Sequence, residues 1–333
     1  MPHIKDELAR GTWVGYRPEI KVLDCTVRDG GLINNHHFDD DFVRAVYETN
    51  VAAGVDYMEI GYKGSKSIYP PSEHGCWKHC DEDDLRRIVG DNDTALKLCA
   101  MADAERSDYR EDIIPCSESV LDAIRVATYI HQMPVAMDMM MDAHDKGYEV
   151  ILQLMAISVV GEVELQDTLK MLADSPFSAV YIVDSFGALY SEQVRDLIVS
   201  FLGALEGSGK DVGMHAHNNQ QLAYANTIEA CIYGANRLDV TINGMGRGAG
   251  NCPMELLMGF LHNPKFKLRP VLKTITDVFV PLEKDGEIEW GYRTPYGLTG
   301  QLNRHPRAAI KMRAGEGRDD VVSFYDELME EDS

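Results

Sequence analysis

From residue 20 onward the chain alternates short, nearly continuous apolar runs with longer stretches whose apolar positions recur at helical spacing. Runs apolar on both faces read as strands of a covered parallel sheet, and the intervening stretches as the helices that cover it. The strands fall at Ile20–Val27, Tyr57–Gly61, Leu96–Met101, Ala123–Tyr129, Val150–Ile157, Ala179–Val183, Val212–His217 and Leu238–Ile242. Helices are predicted at Asp39–Ala53, Asp81–Val89, Pro134–Lys146, Glu162–Ala173, Ser191–Leu205, Gln220–Tyr233 and Pro253–Phe260. Gly54, Gly147 and Gly234 follow three of them, where a helix end favours a left-handed residue. Eight strands interleaved with helices over about 240 residues predict an α/β fold, a closed (β/α)8 TIM barrel. An open doubly wound sheet is the alternative, but the GxGxxG that would follow its first strand is absent.

Past residue 264 the rhythm becomes helical around a polar, Gly- and Pro-punctuated middle, Asp285–Gly300, with a last helix near Asp319–Glu330. The expected organisation is an N-terminal extension over 1–19, a barrel over 20–263 and a small C-terminal α-helical domain over 264–333. A hydrophobic content of 45% is enough for a substantial core. The net charge of -22 argues against a nucleic-acid partner, which needs clustered cations. No apolar stretch is long enough to span a membrane and the start has no apolar leader, so a soluble cytoplasmic protein is expected. Seven scattered cysteines read as reduced core residues.

A barrel keeps its chemistry at the C-terminal ends of its strands. Those positions carry Arg28-Asp29, Glu59, Asp184-Ser185, His215-Ala-His217 and the turn Gly244-Met-Gly-Arg-Gly-Ala-Gly-Asn251. His215 and His217 are two apart on a strand and face one side, so both rings can grip one ion; a satisfied structural pair is the plainer alternative. With Asp29 in the same ring of strand ends, a divalent metal site follows, suited to Mn²⁺ or Mg²⁺ and open to Zn²⁺ or Co²⁺. Glycines before Asn251 let its side-chain carbonyl approach as a fourth ligand, although a simple tight turn would use them too. Arg28 keeps its proton, so beside a 2-oxo acid held by its carboxylate and keto oxygens it would stabilise the enolate; a structural pair with Asp24 is the alternative. Glu59 is grouped with Arg28 as catalytic. The cluster Glu73-His-Gly-Cys-Trp-Lys-His-Cys80 matches no four-ligand zinc spacing and reads as a lid over the mouth.

Asp24-Cys-Thr-Val-Arg-Asp-Gly30, Met214-His-Ala-His-Asn218 and Gly246-Arg-Gly-Ala-Gly-Asn251 resemble the signatures of the DRE-TIM metallolyase (HMGL-like) superfamily. Ile124-Arg-Val-Ala-Thr128 and Val183-Asp-Ser-Phe-Gly-Ala188 are most similar to the 4-hydroxy-2-oxovalerate aldolases within it. The resemblance implies Asp29, His215 and His217 as metal ligands, Arg28 as enolate stabiliser and Ser185 as a seat for the pyruvate carboxylate. It also implies that the helical domain docks an aldehyde dehydrogenase; a homo-oligomer is the other partner expected there.

Similar aldolases carry a histidine three residues after the metal-binding aspartate, where this chain has Leu32. General-base work then passes to His36, Tyr129 or Tyr296, with Tyr129 also placed against the substrate. Met245-Gly-Arg-Gly lacks the glutamate that the superfamily's acyl-CoA synthases carry before the arginine, which favours the lyase side. The expected function is a metal-dependent carbon–carbon lyase yielding pyruvate or a related 2-oxo acid from a 4-hydroxy-2-oxo acid. An acyl-CoA condensing synthase and a non-catalytic partner-binding barrel are the alternatives.

Overall fold

A computed structural model describes residues 18–173 and 175–330, so the extension expected over 1–19 lies almost wholly outside the described residues. Eight parallel strands close in sequence order: β1 Lys21–Asp24, β2 Tyr57–Tyr62, β3 Lys97–Asp103, β4 Ala123–Thr128, β5 Glu149–Leu154, β6 Ala179–Asp184, β7 Asp211–Ala216 and β8 Arg237–Val240. The seam pairs β8 with β1, from Lys21 opposite Arg237 to Asp24 opposite Val240. The (β/α)8 expectation holds, and the helices fall where the apolar spacing puts them. Asp39 caps the helix Asp40–Ala53 by accepting from the Phe42 N–H at 2.7 Å, and Gly54 ends it at φ 76°.

The first strand is shorter than the apolar run suggested. It stops at Asp24, and Thr26–Gly30 forms a short helical turn, α1. The cause is local: the Asp24 carboxylate accepts from both the Thr26 N–H, at 3.1 Å, and the Thr26 hydroxyl, which folds the backbone back on itself. Consecutive residues on a strand face opposite sides, whereas Arg28 and Asp29 on this turn both reach the barrel mouth.

Alternate strand residues divide the core. Val22, Met58, Leu98, Ile124, Val180 and Leu238 point outward to the covering helices. Leu23, Tyr57, Cys99, Ala123, Ile151 and Tyr181 fill the barrel interior. Two residues further along the same inward register, Tyr57 gives way to Glu59, Ala123 to Arg125, Gly213 to His215 and Arg237 to Asp239. All four of these successors are buried. On β2, β4 and β7 the interior therefore changes from uncharged to ionisable side chains over one pleat, while β8 is charged at both levels.

Helices after residue 264 pack in two groups. Val271 and Phe279 join the core around the barrel. Helices Thr294–Gln301, Arg307–Arg313 and Val321–Glu330 build a separate helical region in which Tyr296, Ala309, Phe324 and Leu328 pack together with Ala249 of the glycine-rich turn. Among the described residues no helix is long and apolar enough to cross a membrane, and no disulfide joins the cysteines.

Candidate active site

Three ligand atoms converge at the mouth. Asp29 Oδ2 lies 3.6 Å from His215 Nε2 and 3.5 Å from His217 Nε2, and all three residues are buried. His215 lies on β7 and His217 just beyond it, with ring centroids 5.0 Å apart. The other ring nitrogens are taken: His215 Nδ1 bonds Asp239 Oδ2 at 2.8 Å, and His217 Nδ1 bonds the Asp184 carbonyl at 3.0 Å. A carbonyl only accepts, so His217 Nδ1 holds the proton and Nε2 turns its lone pair toward Asp29. Burial draws His217 down to about 4, which keeps it neutral at neutral pH despite Asp29. Burial opposes charge on His215 as well, but its hydrogen bond to Asp239 and the Asp29 carboxylate nearby outweigh that and raise it. Both Nε2 atoms and Asn251 Oδ1 are buried without a hydrogen-bond partner. Two imidazoles, a carboxylate and an amide oxygen fit a divalent cation.

Cys25, His215 and Asp239 form a second cluster with ligand spacing. There Asp239 already accepts from Arg125 and His215, and burial pushes the Cys25 thiol well above its usual range, which disfavours the thiolate. Neither Cys25 nor Asp239 lines the cavity, whereas Asp29, His215 and His217 all do.

The ligands are tied together by buried charges. Arg28 Nη1 donates to Asp29 Oδ2 and its Nε to Glu59 Oε2, each at 2.6 Å. Arg125 donates to the same Glu59 oxygen at 2.8 Å and to Asp239 Oδ2 at 2.6 Å, and Asp239 returns to His215. The result is a closed ring, Asp29–Arg28–Glu59–Arg125–Asp239–His215. Burial alone would raise the Asp29 carboxyl, yet Arg28 beside it and the two histidines hold it well below the carboxylate range. Arg28 is thus ion-paired, but with Asp29 and Glu59 rather than with Asp24, whose carboxylate is taken by Thr26 and Asn50.

The glycine-rich turn closes the site from the β8 side. The Arg247 N–H donates to Asp29 Oδ1 at 3.0 Å, and His217 forms an isolated β-bridge with Asn251. A Cβ on Gly246 would lie 2.0 Å from Asn251 Nδ2 and 2.8 Å from Asp29 Oδ1. Gly246→Ala is therefore expected to displace both side chains and weaken Mn²⁺ binding by about 10- to 100-fold, read by titration calorimetry.

A cavity of about 360 Å³ opens above the triad. Arg28, His36, Tyr129 and Ser185 line it as expected of site residues. His36 is 2% exposed with neither ring nitrogen hydrogen-bonded. Burial, with Lys78 and Arg28 nearby, holds it neutral. Ser185 Oγ accepts from the Ala156 N–H at 2.8 Å, which leaves its own proton to donate. Glu59 lies beneath the cavity, braced between two arginines, and Tyr296 packs into the C-terminal cluster; neither lines the cavity. In the Glu73–Cys80 stretch, Trp77 and Cys80 are fully buried, while His74 and Lys78 reach the cavity wall.

Arg125, Asp239, Arg247 and Gln153 were not singled out from the sequence as site residues. The first two had a signal: Ile-Arg-Val in β4 and Leu-Asp-Val in β8 place a charge inside an apolar strand. Gln153, 1% exposed on β5, lines the cavity with both amide atoms unpartnered.

The sequence profile of the HMGL-like family matches residues 19–279. Oxaloacetate decarboxylase of Mycobacterium tuberculosis is 36% identical over 245 residues, covering 72% of this chain and 69% of that protein. 4-Hydroxy-2-oxovalerate aldolase 3 of Rhodococcus opacus is 32% identical over 245 residues, covering 72% and 70%. Among solved structures, an N-terminal domain named for an aldolase of Bacteroides vulgatus superposes with a TM-score of 0.76 at 27% identity, over 91% of this chain and all of that one (100%).

Proposed function

Because the chain belongs to the HMGL-like family, whose profile spans its whole barrel, we propose that it is a metal-dependent lyase that cleaves a 4-hydroxy-2-oxo acid into an aldehyde and a 2-oxo acid such as pyruvate. The observation that carries this reading is the convergence of Asp29, His215 and His217 on the cavity that Arg28 and the unpartnered His36 also line. Mn²⁺ or Mg²⁺ suits the set better than Zn²⁺ or Co²⁺, since its oxygen donors are hard and no thiolate joins them.

A divalent cation held by these residues supplies Lewis acidity toward the keto oxygen of a 2-oxo acid. Arg28 spends Nε on Glu59 and one Nη1 proton on Asp29, so Nη2 is left to meet charge that develops on that oxygen. Ser185 donates its hydroxyl proton to the substrate carboxylate. His36 takes the proton of the 4-hydroxyl as the C3–C4 bond breaks, and the bond pair becomes the enolate. Returning that proton to C3 gives the methyl group of pyruvate, so protons balance over the cycle.

His36→Gln is expected to lower aldol cleavage by about 10²- to 10⁴-fold. It is measured by coupling pyruvate release to lactate dehydrogenase in the Mn²⁺-loaded protein. Proton exchange at the pyruvate methyl in D₂O, followed by NMR, tests enolate formation directly; no exchange with any 2-oxo acid would remove the reading.

A second reading is favoured by Leu32, which lines the cavity where similar aldolases place a histidine. Loss of CO₂ from a 2-oxo dicarboxylate reaches the same enolate without a hydroxyl proton to remove. The name of the M. tuberculosis relative is in line with it. CO₂ release from oxaloacetate that persists in His36→Gln separates the two readings.

We place any docking of a second copy or of an aldehyde-oxidising dehydrogenase on the last helix. Val322, Tyr325 and Met329 form an exposed apolar stripe there, opposite the inward-facing Phe324 and Leu328.

A further inference from the structure

The metal ligands come from the β7–β8–β1 sector of the mouth, and the β2–β3 sector holds a lysine for which the lyase reading has no task. Lys78 sits on the one-turn helix Cys76–Lys78 and is only 4% exposed, yet it reaches the cavity. Its Nζ lies 3.7 Å from the centroid of the Tyr62 ring and 4.0 Å from that of Tyr69. These two rings hold it, and among the described residues no carboxylate forms an ion pair with it. A buried cation with no carboxylate in contact, and only Asp103 acting on it from further across the cavity, is still costly unless something brings opposite charge closer. Burial lowers the amine to about 8, with Asp103 partly offsetting that, so it is still mostly protonated at neutral pH.

The surrounding charge has the same sign. Five cations, Arg28, Lys78, Arg106, Arg247 and Arg307, line a cavity with only two carboxylates, Asp29 and Asp103, in a chain whose net charge is -22. Arg28 is already neutralised by Asp29 and Glu59, so the surplus lies on the other four. Arg106 donates to the Tyr69 hydroxyl at 3.2 Å and carries the positive field to the exposed rim beside Lys78. Electrostatic focusing of this kind draws anions into a cleft of an otherwise acidic protein.

We propose that Lys78, with Arg106 at the rim, forms a subsite for a second negative charge on the substrate, so that the aldehyde released or condensed is one bearing an anionic group. The lyase reading decides which half of the substrate sits there; recognition of the charge does not depend on it. The tyrosine clamp holds the ammonium in place before the anion arrives, which lowers the ordering cost of binding.

Titration calorimetry on the Mn²⁺-loaded full chain tests this with 2-oxoglutarate and 2-oxobutyrate, which differ in the presence of a second carboxylate. Wild type is expected to favour the dianion by at least about tenfold. Lys78→Met should remove most of that preference, Arg106→Gln a smaller part, and Lys78→Arg should restore it. Should Lys78→Met fail to fold, Arg106→Gln on the exposed rim still decides the direction. Condensation of pyruvate with glyoxylate, glyceraldehyde 3-phosphate and propionaldehyde then ranks carboxylate, phosphate and neutral aldehydes by kcat/KM. Equal binding of the two 2-oxo acids by wild type, or an undiminished preference in Lys78→Met, overturns the subsite. So does a borohydride-trapped adduct on Lys78, which would make it a nucleophile. A binding preference that survives while wild type neither condenses nor exchanges pyruvate protons sinks the lyase reading alone.

Discussion

Asp29→Asn is expected to lower Mn²⁺ affinity at least about a hundredfold and lyase turnover by about 10³-fold or more, the largest functional loss of any single substitution in this site. The change keeps the side chain's shape and removes its charge. Asp29 is the one carboxylate in the trio, and its Oδ2 is the atom on which both Nε2 atoms and Arg28 converge. An amide there is a weak ligand, and its nitrogen, if turned inward, would face Arg28 donor to donor. Mn²⁺ binding is read by the loss of the free-ion signal in electron paramagnetic resonance, turnover by pyruvate release. Undiminished Mn²⁺ binding in Asp29→Asn would move the ion to the Cys25–His215–Asp239 cluster, and Asp239→Asn would then carry the loss.

The largest effect on stability is expected at Arg125. Its guanidinium is fully buried, bridges Glu59 and Asp239, and lies 4.7 Å from the centroid of the Tyr181 ring. Arg125→Met strands negative charge inside the barrel and is expected to cost about 3–5 kcal/mol, with a fall in Tm on the order of 10 °C by calorimetry. Glu59 then shares Arg28 with Asp29, and Asp239 keeps only His215, so the buried negative charge is under-compensated. Removing one of the stranded charges as well should recover part of the loss: Glu59→Gln combined with Arg125→Met is expected to melt above Arg125→Met alone. If the double variant melts lower still, Glu59 stabilises through Arg28 more than through Arg125. Metal affinity should fall with Arg125→Met too, because Asp239 orients His215.

Much of this architecture was legible in the chain because a parallel barrel writes each strand as an apolar run and each helix as an amphipathic one. The candidate ligands were legible because His215 and His217 share strand parity. Arg28 and Asp29 were located correctly for a less complete reason. A strand through Val27 would have sent them to opposite faces, and only the turn set by Asp24 and Thr26 lets both reach the mouth. The contribution of Glu59 could not be told from spacing, since being braced between Arg28 and Arg125 depends on which strands are neighbours in three dimensions. Tyr296 was one of three groups to which general-base work could pass in view of Leu32, and its packing with Phe324 and Leu328 belongs to contacts that periodicity does not encode. Lys78 was hidden in a segment that spacing could only describe as a loop, because its two tyrosine partners come from β2 and from the loop that follows.

The closed ring of buried charges also sets an order of events as the chain is made. Its members arrive at residues 28, 29, 59, 125, 215 and 239, so the first four leave the ribosome well before the last two. Up to β4 the nascent chain can pair Arg28 with Asp29 and Glu59, and Arg125 Nη1 with Glu59, but Arg125 Nη2 has no carboxylate to meet until β8 is synthesised. A half-made barrel therefore has reason to stay open at its mouth, and closure of the β8–β1 seam is the step that removes these charges from solvent together.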